Sequence, residues 1–562
     1  METLPRAIFL IKQILFRYTD ITLELCLRNL NATIMRGRLV IVWLALMSIS
    51  CSKDAIHGGR DLDYEYGRDL KHDAIVLGER LDNPYKTENM SRALQSLYPT
   101  KADRVELKST DLYVRFLPED KEQYDMLEDI GLHMLDHPMD YDIVVDGDWY
   151  HDPDVPEGEV TWQYAVVPAD FVFPEEVRYE IIHGCYLAEN DPLSKSYDAE
   201  IDWDAVEREA YVVTGNSSML ADPVTKASGK VCPSGRITIV DKHANGGKPF
   251  GVAGVQVVCN SFVKICTTYT DRDGYYTMPK AYSSDLRYNL VFKNEKGFAI
   301  GFNLILVPAS VSTLGRSAPD GVTMTVTEDS EEKLFKRCVV NNAAYDYYAR
   351  CAGGDMNITT PPSDLRIWLF YGLRAGSAVM MHHGAVLSHD LISKYLGAYT
   401  DLIEVFLPDV TIGVDGRDSY RDIYSCTCHE LAHASHFVKA GTSYWNRYIK
   451  YIMTSYVKTL GMTYGDGTGD DAGVCEVGEM WAYYMESKMY KDRYGGLFPS
   501  FGTSFWFYPQ IFRYLDERGV SCSYIDSVLG EDVDTREKLK AALIASFPGK
   551  RTVIEQVFGR YK

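Results

Sequence analysis

The stretch GRITIVDKHANGGKPFGVAGVQVVCNSFVKICTTYTDRDGYYTM, from Gly235 to Met278, limits the possible folds of this chain more than any other. Short runs rich in β-branched and aromatic residues alternate with turn signals, ending in the Asp273-Gly274 turn before an aromatic strand. A helix needs a period near 3.6, so the pattern demands antiparallel strands with a buried face. Cys259 and Cys266 flank a short turn between two of these runs, which makes them the best candidates for a disulfide. At 562 residues, 46% of them hydrophobic, the chain is too long for one core, so this β unit is one of several domains.

Before it, residues 77–230 carry short strand candidates such as LYVRFLP and QYAVVPADFVF between loops rich in Asp, Pro and Gly, which predicts an α+β or β-rich domain. The β unit itself is expected over 231–320. From 330 to 562 the pattern changes to helices mixed with a few strands, ending in short amphipathic helices expected to pack onto the preceding domain. The β unit resembles the carboxypeptidase regulatory-like β-sandwich, whose signature joins an opening strand with Asp, a GVxV strand and a TDxDGxY turn. Here these read GRITIVD, GVQVV and TDRDGYY. The resemblance implies a structural or adhesive module and no chemistry.

The segment MRGRLVIVWLALMSISCSKD begins at Met35 with two arginines, continues through an apolar run from Leu39 to Ile49, and reaches Cys51 through small residues. That is the layout of a secretory signal, and the run is too short to span a membrane as a helix. Residues 1–34 are then expected to precede the true start, 35–50 to be the signal, and 51–76 to form a polar tether. The residues before Cys51 resemble a bacterial lipobox, although Ser48 replaces the usual aliphatic residue. This implies lipidation at Cys51, membrane attachment through that lipid, and a place in the bacterial cell envelope, at the outer membrane or cell surface. A formal net charge of -21 argues against nucleic acid as a partner, because neutralising phosphates needs a basic surface.

Chemistry concentrates in SCTCHELAHASHF, Ser425 to Phe437. His429 and His433 stand at i and i+4, so a helix presents both imidazoles on one face with the bite a zinc ion accepts. Glu430 beside them can serve as general base toward a metal-activated water. A histidine-rich helix without a metal would need no further partner, whereas a zinc site needs a third ligand. His436 would supply it in a metzincin, but that class requires a glycine to break the helix and a later histidine. On a continuous helix His436 lies about 10 Å along the axis from His429 and cannot share its metal. Cys426 and Cys428 form a single CxC with no matching second pair, so a zinc ribbon is not indicated.

A carboxylate on a second helix is the other source. GVCEVGEMWAYYMES, Gly473 to Ser487, places Glu479 before Trp481-Ala482-Tyr483-Tyr484 and resembles the third-ligand helix of gluzincin metallopeptidases. Glu476, one turn earlier, is the rival and is also explained as a carboxylate near a helix start. The resemblance covers roughly residues 362–491 and departs from thermolysin-like enzymes in its much longer spacer, which includes the aromatic stretch SYWNRYIKYIMTSYVKTL. It implies a gluzincin-like catalytic domain with Zn2+ held by His429, His433 and Glu479, Glu430 as the base, and a protein or peptide substrate. It also implies an oxyanion-stabilising Tyr or His, for which Tyr483, Tyr484, Tyr508 and His436 are candidates, and an edge strand over Leu402–Gly416 that pairs with extended substrate. The loop MMHHGAVLSH, with His382, His383 and His389, is expected to be ordinary. Two other readings stand beside the enzyme: a non-catalytic surface-binding or adhesion lipoprotein that keeps a peptidase-like fold, and a structural zinc site, for which no fourth ligand is evident.

Overall fold

The computed structural model describes residues 74–561 except 103–104, 120, 157–159, 193, 195–200, 222–229, 302–308, 372–375, 386–407, 460–463 and 497–504. The signal segment, Cys51 and the tether lie outside the described residues. No described helix is long and apolar enough to cross a membrane. The chain is a mixed α/β multidomain protein with extensive sheets and a helical C-terminal part.

The N-terminal unit runs through β1 (Val76–Arg80), α1 (Thr87–Leu97), β2 (Asp111–Leu117), α2 (Lys121–Asp129), β3 (Tyr141–Val145), β4 (Gln163–Pro168), β5 (Arg178–Cys185) and α3 (Trp203–Val213). β2 sits between β4 and β5 in an antiparallel sheet and buries Tyr113, Val114 and Phe116. α3 is capped by the Asp202 carboxylate, which accepts from the backbone N–H groups of Asp204 and Ala205.

The β unit supplies β6 (Ser234–Ile239), β7 (Phe250–Gly251), β8 (Val255–Ser261), β9 (Lys264–Tyr269), β10 (Tyr275–Thr277), β11 (Leu286–Asn294), β12 (Ala299–Gly301), β13 (Val311–Ser317) and β14 (Met324–Val326). β6 lies between β10 and β14 in a small sheet, while β8, β9, β11, β12 and β13 belong to a larger one. The turn through Asp271–Gly274 therefore carries the chain from one sheet to the other, held by the Asp271 carboxylate accepting from the N–H groups of Asp273 and Tyr275. Cys259 and Cys266 stand opposite each other across the β8–β9 pair, as the short turn predicts, but both thiols are free.

The expected boundary between 320 and 330 does not end the sheet. After α4 (Glu332–Arg350), strand β15 (Arg366–Phe370) pairs in parallel with β12, and β16 (Ser377–Ala378) and β17 (Val410–Gly413) extend the same sheet to eight strands in the order β16-β17-β15-β12-β11-β8-β9, with β13 beside β11. One hydrophobic cluster runs from Tyr124 and Val160 of the N-terminal unit through Ile237 to Phe558. Asn342 of α4 donates to the Gly251 carbonyl at 2.8 Å, and the Arg493 guanidinium stacks on Phe250, Tyr420 and Tyr424 while pairing with the buried Asp241 carboxylate at 3.1 Å. These contacts bind the β unit to the helical part.

That part consists of α5 (Tyr420–Thr459), α6 (Ala472–Tyr494), α7 (Gln510–Asp516), α8 (Cys522–Val528), α9 (Arg536–Ser546) and α10 (Arg551–Phe558). The last helices bury Leu539, Leu543, Ile554 and Val557 in the shared core, the packing role expected of them.

Of the expected edge strand over Leu402–Gly416, residues 402–407 lie outside the described residues; Val410–Gly413 is a strand and pairs with β15 on one side and β16 on the other. Among the described residues the outermost strand on this side is β16, two residues long and paired antiparallel to β17.

Candidate metal centre

α5 is two helices joined at Gly441, whose φ of 78° and ψ of 173° lie outside the helical range and suit a residue without a Cβ. The first piece carries His429, Glu430, His433 and His436. The second folds back so that Trp445 and Tyr448 pack against the His433 ring, and Tyr444 and Trp445 against His436. Tyr444 and Trp445 are wholly buried. Burying a ring of this kind removes about 150–250 Å² from water, worth roughly 4–6 kcal/mol as an upper bound. The long spacer thus forms an apolar wall behind the histidines.

α6 packs along α5 and brings Glu479 to them. His429 Nε2 stands 3.6 Å from Glu479 Oε2, and His433 Nε2 stands 3.5 Å from Glu479 Oε1. The ligand atoms of His429, His433 and Glu479 all lie within 4.8 Å of one another, the only such group among the described residues that could hold a metal ion. Around a tetrahedral zinc ion with bonds of about 2.0–2.1 Å, neighbouring donor atoms stand about 3.3 Å apart, so the spacing fits a shared ion. His429 Nε2 is buried and makes no hydrogen bond, a state that costs about 1–3 kcal/mol unless something takes its lone pair.

The other ring nitrogen is fixed. Glu486 accepts from His429 Nδ1 at 3.1 Å and from the Ser425 hydroxyl at 2.8 Å. That contact holds the ring with Nε2 turned toward Glu479, the arrangement in which a second carboxylate orients a metal-binding imidazole. On the opposite side the Tyr448 hydroxyl donates to Glu479 Oε1.

The site's charges are coupled. Burial disfavours an imidazolium at His429, but the nearby carboxylates of Glu479, Glu486 and Glu430 outweigh it and raise the group to about 10. Burial also disfavours the Glu479 carboxylate, yet His433 and His429 hold it down at about 2. Burial keeps His433 below the ordinary histidine range and lowers His436 to about 3. The metal-free cluster therefore stores its proton on His429 beside an ionised Glu479.

No protein-family model, curated protein or solved structure matches the chain. Its chemistry has to be read from the site.

Glu430 is fully buried one position from His429, and the backbone of Gly376, just before β16, lies against its carboxylate so closely that a Cβ on Gly376 would collide with Oε1. Tyr483 is also at the centre. Its ring meets His429 edge-on at 4.6 Å between centroids, and its hydroxyl shares a 2.7 Å hydrogen bond with the Tyr464 hydroxyl.

The structure separates the remaining candidates from the cluster. Tyr484 points to the other side of α6, where its hydroxyl donates to Asp516 at 2.8 Å. Tyr508 packs on Tyr561 beneath the Arg536 guanidinium. His436 is buried with neither ring nitrogen hydrogen-bonded, in the aromatic wall and not in the ligand set. Glu476 pairs with Arg536 at 3.3 Å, and burial raises its carboxyl. Cys426 and Cys428 are buried and burial pushes both thiols up, Cys426 to about 12, so neither is a ready thiolate ligand. His383 bridges Asp364 and Asp409 at 2.8 and 2.9 Å, fastening its loop to the start of β17; His389 lies outside the described residues.

Sequence reasoning missed Glu486, Tyr448 and Gly376. Glu486 had a signal, since it follows Glu479 by seven positions and shares its helix face. Tyr448 and Gly376 had none, because each meets the site only through long-range packing.

Proposed function

We propose that the chain is a zinc-dependent metallopeptidase of the gluzincin type, with the ion held by His429, His433 and Glu479. The observation that carries this reading is a buried two-histidine, one-carboxylate cluster beside a further carboxylate, Glu430, that is not among the three donors. A structural zinc site closes with four protein ligands, whereas three ligands leave a position for water. A bound zinc ion supplies Lewis acidity toward that water and the scissile carbonyl.

The chain's own groups do the rest. Glu430 accepts a proton from the attacking water and delivers it to the nitrogen of the leaving amine. Glu486 and Ser425 keep His429 in one tautomer and orientation, and Tyr448 fixes one oxygen of Glu479. Tyr483 is the assigned oxyanion donor, with Tyr464 orienting its hydroxyl. β16, the outermost strand on this side among the described residues and steadied by the Trp445 indole N–H donating to the Ala378 carbonyl at 2.8 Å, offers the substrate a strand to pair with beside Leu402–Gly416. The proposal extends to the β unit as a carboxypeptidase regulatory-like module, and to lipidation of Cys51 that displays the enzyme on the bacterial envelope to cleave protein or peptide substrates.

The test compares zinc-loaded wild type with Glu430→Gln on a proteome-derived peptide library. The substitution keeps the shape and removes the base, so cleavage should fall by about two or more orders of magnitude while zinc content and melting stay unchanged. A zinc-loaded wild type that cleaves no peptide, under conditions where a control gluzincin does, moves the assignment to a binding protein.

A further inference from the structure

A second site candidate lies away from the metal cluster, between the N-terminal unit and the face of β8, β9 and β11 that is turned from the main core. A cavity of about 230 Å³ opens there. Its sheet wall presents Gln256, Thr267, Tyr269 and Asn289 over an apolar floor of Val258 and Val291. These positions face the same way because Gln256 pairs with Tyr269, Val258 with Thr267 and Asn289, and Val291 with Gln256 across the ladders.

The side-chain amide of Asn289 decides the chemistry. The residue is 6% exposed, it lines the cavity, and among the described residues its side chain makes no hydrogen bond. Gln256, 9% exposed, has one long contact, to the Tyr269 hydroxyl at 3.4 Å. Both amides open onto the cavity, and each offers both a donor and an acceptor to what fills it. The carboxylates and basic side chains around the cavity pair as Glu128 with Lys293, Arg287 with Asp146, Asp148 with Arg337, and Asp136 with His137, while the His133 imidazole in the lining, kept neutral by burial, has a buried Nε2 without a partner and is a further hydrogen-bonding group for a neutral ligand. An ionic ligand would have to break one of these pairs. A neutral ligand with several hydroxyl groups and a C–H face would not. At about 30 Å³ per water the space holds either about seven or eight waters or one molecule the size of a single sugar ring.

We propose that this cavity binds one neutral sugar residue, with Asn289, Gln256 and the Thr267 hydroxyl hydrogen-bonding its hydroxyls and Val258 and Val291 receiving the C–H face. The ligand is either a free monosaccharide or the end of a longer glycan, since both present the same ring.

The test measures saturation transfer and calorimetric binding of the full chain to glucose, galactose and mannose, to glucuronate as a charged control, and to trisaccharides ending in each hexose. The expected result is binding of at least one hexose, none of glucuronate, loss of binding in Asn289→Leu, and about tenfold weakening in Thr267→Val, which keeps the side-chain shape and removes the hydroxyl. Equal binding of the matching trisaccharide assigns the site to glycan ends; its failure assigns it to free sugar. Should Asn289→Leu not fold, Thr267→Val decides alone. Absence of binding by every hexose, or binding that both variants leave unchanged, overturns the proposal and leaves a cavity filled by water only.

Discussion

Two buried carboxylates, Glu207 and Glu479, sit among cations in different parts of the molecule and have opposite consequences. Glu207 of α3 accepts from the Tyr85 hydroxyl at 2.9 Å and pairs with Lys230 at 2.8 Å and Lys264 at 3.2 Å, and those lysines also reach Asp204 and Glu189. Its oxygens are saturated by donors within bonding distance, and the network joins the N-terminal unit to the β unit. Glu479 faces two imidazole nitrogens at 3.5 and 3.6 Å, beyond hydrogen-bond length but at the spacing of two ligands on one ion. A buried acid that closes all its contacts is a fastening. One that holds nitrogens slightly apart is a socket.

The largest effect expected from this contrast is on the fastening. Lys264→Ala leaves Glu207 buried with one cation fewer, and urea unfolding should show a loss of about 3–5 kcal/mol with no change in the zinc bound per folded chain. Metal loss accompanying that destabilisation would mean the two clusters are coupled and the contrast is false.

Next comes the socket's support. Glu486→Gln weakens the hold on His429 Nδ1 while keeping the side-chain size, and chelator competition should show zinc affinity reduced about 10–100-fold with little change in unfolding free energy. An unchanged affinity would reduce Glu486 to a packing residue.

Acidity separates the clusters further. In the metal-free protein His429 is raised to about 10, so at neutral pH an ion must displace one proton to bind. Zinc affinity should therefore rise about tenfold per pH unit from pH 7 to 9 and level off above pH 10. The stability that His429 adds to the metal-free fold has the opposite course: full below about 6.5, it is lost as pH rises through about 10. Zinc competition at several pH values, alongside melting of the metal-free protein, checks both signs.

The smallest effect is at Tyr448→Phe, which removes one hydroxyl from Glu479 and keeps the ring against His433. Zinc affinity should fall about three- to tenfold. Tyr444→Phe, whose hydroxyl donates to the Val474 carbonyl at 2.8 Å, should leave it unchanged. Equal effects in the two variants would point to general packing of the aromatic wall.

The parts legible in the sequence were those set by local period. His429 and His433 share a face because a helix repeats every 3.6 residues, and β8 and β9 were written in alternation. Glu479 could be named from its surroundings on α6, and Glu486 was available on the same face. The break at Gly441, by contrast, gained meaning only when Tyr444, Trp445 and Tyr448 were seen folding back on the histidines. The β12–β15 pairing that joins the β unit to the helical part is parallel and non-local, so composition suggested a boundary where the sheet continues. β16 is two residues long and leaves no pattern, so its pairing with β17 could not be read from the sequence. Tyr484 was plausible because it adjoins Tyr483, but adjacent residues on a helix point about 100° apart, and only Tyr483 reaches His429.

The most direct measurement is a cobalt titration of the metal-free chain followed by visible absorption, in wild type, Glu479→Ala and Glu476→Ala. The account predicts one ion per wild-type chain with the intense bands of a low-coordinate site, a spectrum retained in Glu476→Ala and abolished in Glu479→Ala. Failure of the wild type to bind, or loss of the spectrum in Glu476→Ala with retention in Glu479→Ala, would contradict it.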